Sequence, residues 1–256
     1  MMPDDMFADT QRIRQKTRRR VVISQPMYFP WPGFFEQMAL ADVYVWLDDA
    51  QFSKGSFTNR IQVKLGGDRK WMSIPLEGKG TKAIIGDLRP GIENWASSHR
   101  ELLRQSFKAA PARDEALAIF DRAVTAPRLV DCLVASAEEP ALALGVRPAS
   151  IFRSHEMNVP GQSWQRVLDL VKAVGGTKYI TGHGAAHYLD HMEFERQGVE
   201  VAYMDYSLTE WPQANEPFTP YVTVLDLIAA VGEDARRYLR PKTVSWREFL
   251  ARRARS

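Results

Sequence analysis

The chain has 256 residues, is 45% hydrophobic and 25% charged, and carries a formal net charge of +3. That length is ample for a full core and favours one large α/β domain over two equal ones, and the composition excludes fibrous and wholly disordered chains. No apolar run approaches the roughly 18 to 20 residues that cross a bilayer. The N-terminus also lacks the apolar region of a signal peptide, so the expected location is the cytoplasm. The single cysteine, Cys132, sits in the apolar run LVDCLVASA. A disulfide within the chain is excluded, and the thiol reads as buried.

Residues 1–19 read as a mobile basic leader, with the run RIRQKTRRR from Arg12 to Arg20 free of acids. Such a run is usually a solvated terminus, though it can also attract RNA or anionic lipid. Val21, Val22 and Ile23 form a short buried strand. Pro26, Pro30, Pro32 and Gly33 then hold a rigid, irregular loop. Phe34, Phe35, Met38 and Ala41 share one helix face, Asp42 ends that helix, and Val43–Leu47 reads as a second strand. A polar loop spans 51–60, and IQVKL-GGDR-KWMSIPL reads as a hairpin turning at Gly66-Gly67. Gly78–Thr81 is a flexible loop without P-loop spacing, and Ile84–Leu88 reads as a strand.

Helices over 95–107, 113–124 and 128–144 make a helical insertion at about 95–145, closed by a Gly145 C-cap. A strand at 149–153 leads to a helix that Ser163 can cap and Gly175-Gly176 stops near Val174. Lys178–Thr181 is a strand, 182–184 a loop, and 185–189 a short helix. A strand at 199–204 and a helix at 224–231 follow, and 246–256 reads as a basic tail. Strands alternating with helices predict a single α/β domain over about 20–245, Rossmann-like, with a mainly parallel sheet and flanking helices. In such sheets ligands sit beyond the carboxyl ends of the strands.

Three stretches could carry chemistry. In the first, Ser24, Gln25, Tyr28, Trp31 and Gly33 lie on rigid backbone between a strand and a helix N-terminus. That terminus favours an anion, typically phosphate, and the rings offer a stacking wall, or else are core. The second holds Asp48, Asp49, Gln51, Lys54, Asn59 and Arg60. Adjacent carboxylates on an extended chain point to opposite faces, so one of them would face a pocket, as a base or as an amine or metal contact. Lys54 and Arg60 could hold phosphate or carboxylate, or the group could be a surface loop of ion pairs. The third is Thr181, Gly182 and His183, with His187 and His191 beyond. Glycines beside His183 argue against one helix presenting all three histidines to a metal, so no metal site is assigned. His183 is the better general base or substrate contact. Tyr203, Asp205, Tyr206, Trp211, Gln213, Phe218 and Tyr221 read either as a pocket wall or lid or as packing on the sheet edge.

The first stretch resembles HIGH-type nucleotidyltransferases such as pantothenate synthetase, with Trp31-Pro32-Gly33-Phe34 at the H-x-G-H position and Ala50-Gln51-Phe52 echoing a later motif. The glycine stands but neither histidine does, so the resemblance implies the fold, not ordinary adenylyl transfer. Over nearly its whole length the chain resembles the WbqC-like protein family. The matching pieces are QPMYFPWPGFF at 25–35, Ala41-Asp42, DDAQFSKGSFTNR at 48–60, KWMSIPL with Trp71, Trp95 with His99, YITG at 179–182, and the pattern ending in Tyr221 and Asp226. One departure is Ser24, where the family usually has a His before the Gln-Pro pair. The resemblance implies a place in building bacterial surface polysaccharides, including acyl or aminoacyl transfer to a sugar amine. The ligand class it implies is a nucleotide or a nucleotide-linked or phosphate-activated small molecule, with no cofactor assigned. The rival readings are a non-catalytic metabolite-binding scaffold and transfer from aminoacyl-tRNA.

Overall fold

A computed structural model describes residues 18–80, 82–214 and 216–255. Residues 1–17, most of the basic leader, lie outside the described residues, as does Thr81 of the Gly78–Thr81 loop. In chain order the strands are β1 (Arg20–Ser24), β2 (Val43–Trp46), β3 (Arg60–Leu65), β4 (Asp68–Ser73), β5 (Ser150–Arg153), β6 (Lys178–Thr181), β7 (Glu200–Met204) and β8 (Thr243–Ser245). The helices are α1 (Pro32–Leu40), α2 (Trp95–Ser106), α3 (Arg113–Ala123), α4 (Leu129–Ala143), α5 (Ser163–Ala173), α6 (His191–Arg196), α7 (Val224–Val231) and α8 (Trp246–Arg253).

Six strands make one sheet in the order β5-β2-β1-β6-β7-β8, and β3 and β4 pair as a separate antiparallel hairpin. Within the sheet β5, β2, β1, β6 and β7 run parallel, and β8 closes the edge antiparallel to β7. The expected α/β, Rossmann-like, mainly parallel sheet is therefore the architecture. The strand order reverses between β1 and β6, which places a topological switch point at their carboxyl ends.

Alternation along β1 and β2 sorts the core. Val22, Tyr44 and Trp46 face α1 and the helical insertion, packed with Phe34, Phe35 and Met38. Val21, Ile23, Val43 and Val45 face the other side, covered by Val167, Leu168 and Val171 of α5 and Phe194 of α6. The Arg19 carbonyl accepts from the Thr177 and Lys178 N–H groups, and Arg20 holds Asp42 through both its backbone N–H and its guanidinium. Among the described residues no helix is long and apolar enough to cross a membrane.

Several local expectations change. Ile84 makes only an isolated bridge with Gln51, and 85–87 is a single 3-10 turn, too short of partners to be a strand. Ser163 does not cap α5: it is the first helical residue, at φ 57°, and Gln162 at the N-cap makes no side-chain bond. His183–His187 is itself a 3-10 turn. Trp246–Arg253 is a helix instead of a tail, with Ser245 Oγ accepting from the Glu248 N–H at 3.2 Å. Trp246 and Phe249 pack on the core, and Arg247 and Arg252 pair with Glu195 and Asp205, which is why so basic a segment folds back.

Candidate functional site

The parallel register sets Trp46 of β2 beside Arg153 of β5, so the residues just past both strand ends meet. Asp48 accepts from Arg153 Nε at 2.5 Å, from Ser154 Oγ at 3.1 Å and from the His155 N–H at 3.2 Å, and pairs with His155 Nδ1 at 2.7 Å. Asp49 shares the single Ser154 hydroxyl proton with Asp48, at the shorter distance of 2.6 Å, and accepts from both terminal nitrogens of Arg166, at 3.0 and 2.5 Å. Burial pushes both carboxyls up. The hydrogen bonds and charges of Arg153 and His155 on Asp48, and of Arg166 and Ser154 on Asp49, outweigh it and hold both below the usual range. Both acids are ionised at neutral pH and already crowded with donors.

Beside them lies a hollow of about 440 Å³. Gln25, Asp49 and Gln51 line it from the ends of β1 and β2, and Gly161, Gln162, Ser163 and Arg166 from the entry to α5. Gln162, the N-cap residue of α5, makes no side-chain bond to the first turn, which leaves the N–H groups of that turn to an anion. The backbone at this entry is held in left-handed conformations at Gly161 (φ 108°) and Ser163 (φ 57°).

The other loop-to-helix junction differs. α1 begins with Pro32, which has no N–H, and Trp31 folds its ring back over Gly33. A Cβ at Gly33 would lie 2.2 Å from that ring, so the glycine is required by a close approach. Trp31 also packs on Tyr206 and Tyr221, with ring centroids 4.8 and 5.9 Å apart. The anion expected at the start of α1 thus meets a proline and an indole, and the helix entry that opens on a hollow with Gln25 is that of α5.

Tyr28, expected as a ligand wall, is completely buried. Its hydroxyl lies 2.9 Å from His99 Nδ1, and His99 Nε2–H donates to the Ser73 carbonyl at 3.1 Å. That carbonyl fixes the tautomer, so Nδ1 accepts from the Tyr28 hydroxyl. Burial lowers the His99 pKa to about 4, which keeps the ring neutral in the core. Ser24 Oγ donates to the Gln25 carbonyl at the end of β1, and Thr181 is buried at the end of β6.

His183 Nε2–H donates to the Met204 carbonyl at 2.8 Å, and its ring lies between Tyr206 and Phe249. It lines a second hollow of about 570 Å³ with His187, Asp205 and Arg252. Gly182 sits beside the first of those rings: a Cβ there would lie 3.5 Å from Tyr206 Oη. His187 stands 3.0 Å from Arg253, whereas His191 Nε2 is 2.7 Å from the Tyr203 hydroxyl, so the three histidines face different surroundings. Arg60 lies on the hairpin, its guanidinium 4.2 Å over the Trp71 ring and bonded to the Gly55 carbonyl. Asn59 Nδ2 donates to the Ile74 carbonyl at 2.8 Å, and Lys54 is exposed.

Gln25, Arg60 and His183 therefore do not share one cleft. The 51–60 loop runs from the end of β2 to the separate hairpin, and on the way the Tyr28 N–H donates to the Phe57 carbonyl and ties it to the loop between β1 and α1. Conversely, Arg153, Ser154, His155 and Arg166 join the acids without having stood out in the sequence. Only Ser154 and His155 carry a local signal, as polar residues directly after a strand.

A sequence profile described as the WbqC-like protein family matches residues 25–238. The chain is 28% identical over 230 residues to the uncharacterized protein Rv1507c of Mycobacterium tuberculosis (strain ATCC 25618 / H37Rv), an alignment that covers 87% of this chain and 98% of that protein. No solved structure matches.

Proposed function

The chain belongs to the WbqC-like protein family, and from that premise we propose that it is a group-transfer enzyme of bacterial surface-polysaccharide or amino-sugar metabolism. The proposed reaction is acyl or aminoacyl transfer to an amine, on a nucleotide-linked or phosphate-activated small molecule. The observation that carries this reading is the hollow of about 440 Å³ beyond β1 and β2, a volume typical of small-molecule sites. In it a phosphate would take N–H groups of the first turn of α5 and the remaining terminal N–H groups of Arg166, whose bidentate face already holds Asp49. Gln25 and Gln51 would hydrogen-bond the rest of the ligand. Asp49 would orient the acceptor amine. Its lowered pKa suits it to hold an ammonium or amine N–H and makes it a weak proton acceptor at neutral pH.

Thermal shift and calorimetry with nucleotides and nucleotide sugars test the site. The expected result is saturable binding that weakens about tenfold or more in Arg166→Met and in Gln25→Ala. Binding unchanged in both variants, or no ligand among them binding, would sink the reading. A second reading, binding without turnover, is favoured by the saturation of Asp48 and Asp49 with donors. Product formation from an amino-sugar acceptor and an activated acyl donor excludes it.

A further inference from the structure

Between α1, the 206–211 segment and Tyr238 lies a small, partly open space, separate from both hollows. Trp31, Tyr206, Trp211 and Tyr238 give it four aromatic walls, and Glu36 is the one charged side chain among the described residues that line it. Glu36 is 4% exposed. Its Oε1 accepts from the Arg240 backbone N–H at 2.9 Å, but Oε2 is buried with no hydrogen-bond partner among the described residues. A buried carboxylate oxygen without a donor is costly, and here burial pushes the Glu36 carboxyl up, only partly offset by Arg240. The space left is about 10 Å³, enough for one water-sized group.

A group that fits must be small, must donate to Oε2, and must suit four aromatic rings. A neutral donor satisfies the first two. A cationic one also gains from the ring quadrupoles and from the carboxylate charge. We propose that this space is a binding subsite for the ammonium head of a primary amine, with Glu36 Oε2 accepting one of its N–H bonds and the Trp31, Tyr206, Trp211 and Tyr238 rings forming its walls. A quaternary ammonium is too large. The subsite adjoins the end of β6, where Tyr206 Oη comes close to Gly182. It stands whether or not the transfer reading holds, because none of its residues line the hollow on which that reading rests.

The test uses the full chain with methylammonium chloride as probe, against tetramethylammonium chloride and sodium chloride at matched ionic strength. Tryptophan fluorescence and melting temperature report binding, since Trp31 and Trp211 line the space. The expected result is a saturable response and a raised melting temperature with methylammonium alone. Glu36→Gln, nearly isosteric, weakens the response about tenfold or more. Tyr238→Leu keeps the carboxylate, removes one ring, and weakens it severalfold. If Glu36→Gln does not fold, the Tyr238→Leu variant and the three-salt comparison still decide. A response common to all three salts, or one unchanged in the variants, overturns the proposal. So does no saturable methylammonium response, which would mean that the space holds an internal water only.

Discussion

Two buried acid sites stand near the same edge of the sheet and are built in opposite ways. Asp48 is 1% exposed, and guanidinium, hydroxyl, imidazole and backbone donors crowd both its oxygens. Glu36 is 4% exposed, and one of its oxygens has no donor among the described residues. The contrast reaches their titration. Asp48 is held below the usual carboxylate range by its partners, whereas Glu36 is pushed above it by burial. Asp48 therefore contributes stability that is present above the unfolded value, about pH 4, and is lost as pH falls through its lowered pKa. Glu36 has the opposite sign: its contribution is present below the ordinary glutamate value and is lost as pH rises through its raised one. A saturated acid holds structure together, while an unsaturated one leaves a bond for something else to make.

The largest expected effect comes from breaking the saturated site. Asp48→Ala takes the buried partner from Arg153, which keeps Asp131 at 3.1 Å, and from the part-exposed His155, and should cost about 3 kcal/mol of unfolding free energy, read by urea denaturation at neutral pH. A loss under about 1 kcal/mol would mean that the network is decorative. His99 sharpens the contrast from the side of a base. It is neutral in the folded core with a pKa of about 4, so the unfolded chain takes up its proton first on acidification. Stability should fall by about 3 kcal/mol as pH drops from about 6.5 to about 4, and His99→Gln should flatten that limb while leaving the carboxylate limb below it.

Gly33→Ala attacks the unsaturated site. The added methyl collides with the Trp31 ring, so the variant should lose about 2 kcal/mol and its methylammonium response with it. Retained binding would separate Trp31 from the subsite. The smallest effect is a control. Arg100 and Asp121 pair at 2.8 Å with side chains 46% and 43% exposed, so Arg100→Ala should change stability by no more than about 0.5 kcal/mol. A cost comparable with that of Asp48→Ala would show that pairing alone, without burial, sets the scale.

Much of the frame was legible. The strand–loop–helix–strand unit over 21–47, the Gly66-Gly67 hairpin, the insertion helices and the Gly145 C-cap each follow from a period or a turn residue a few positions long. The helix over Trp246–Arg253 was legible too, through Ser245 and Glu248 in capping-box spacing, but the density of arginine there reads as a tail. At the candidate site the pair Asp48-Asp49 announced itself by following a buried strand. Its partners did not, because Arg153 lies 105 residues away and Arg166 lies 117 residues from Asp49. Tyr28 misled for the same reason: the residue that takes its hydroxyl, His99, lies 71 positions on.

Short-range patterning thus decided which segments are strands and helices and which strand ends carry polar residues, since hydrophobic period and turn chemistry act over a few residues. Only the folded chain decided that the 51–60 loop swings onto a separate hairpin, that Trp31 covers Gly33, and that Glu36 keeps an oxygen unpaired. Those outcomes depend on which strands become neighbours in the sheet and on which donors reach each oxygen, and no local period encodes either.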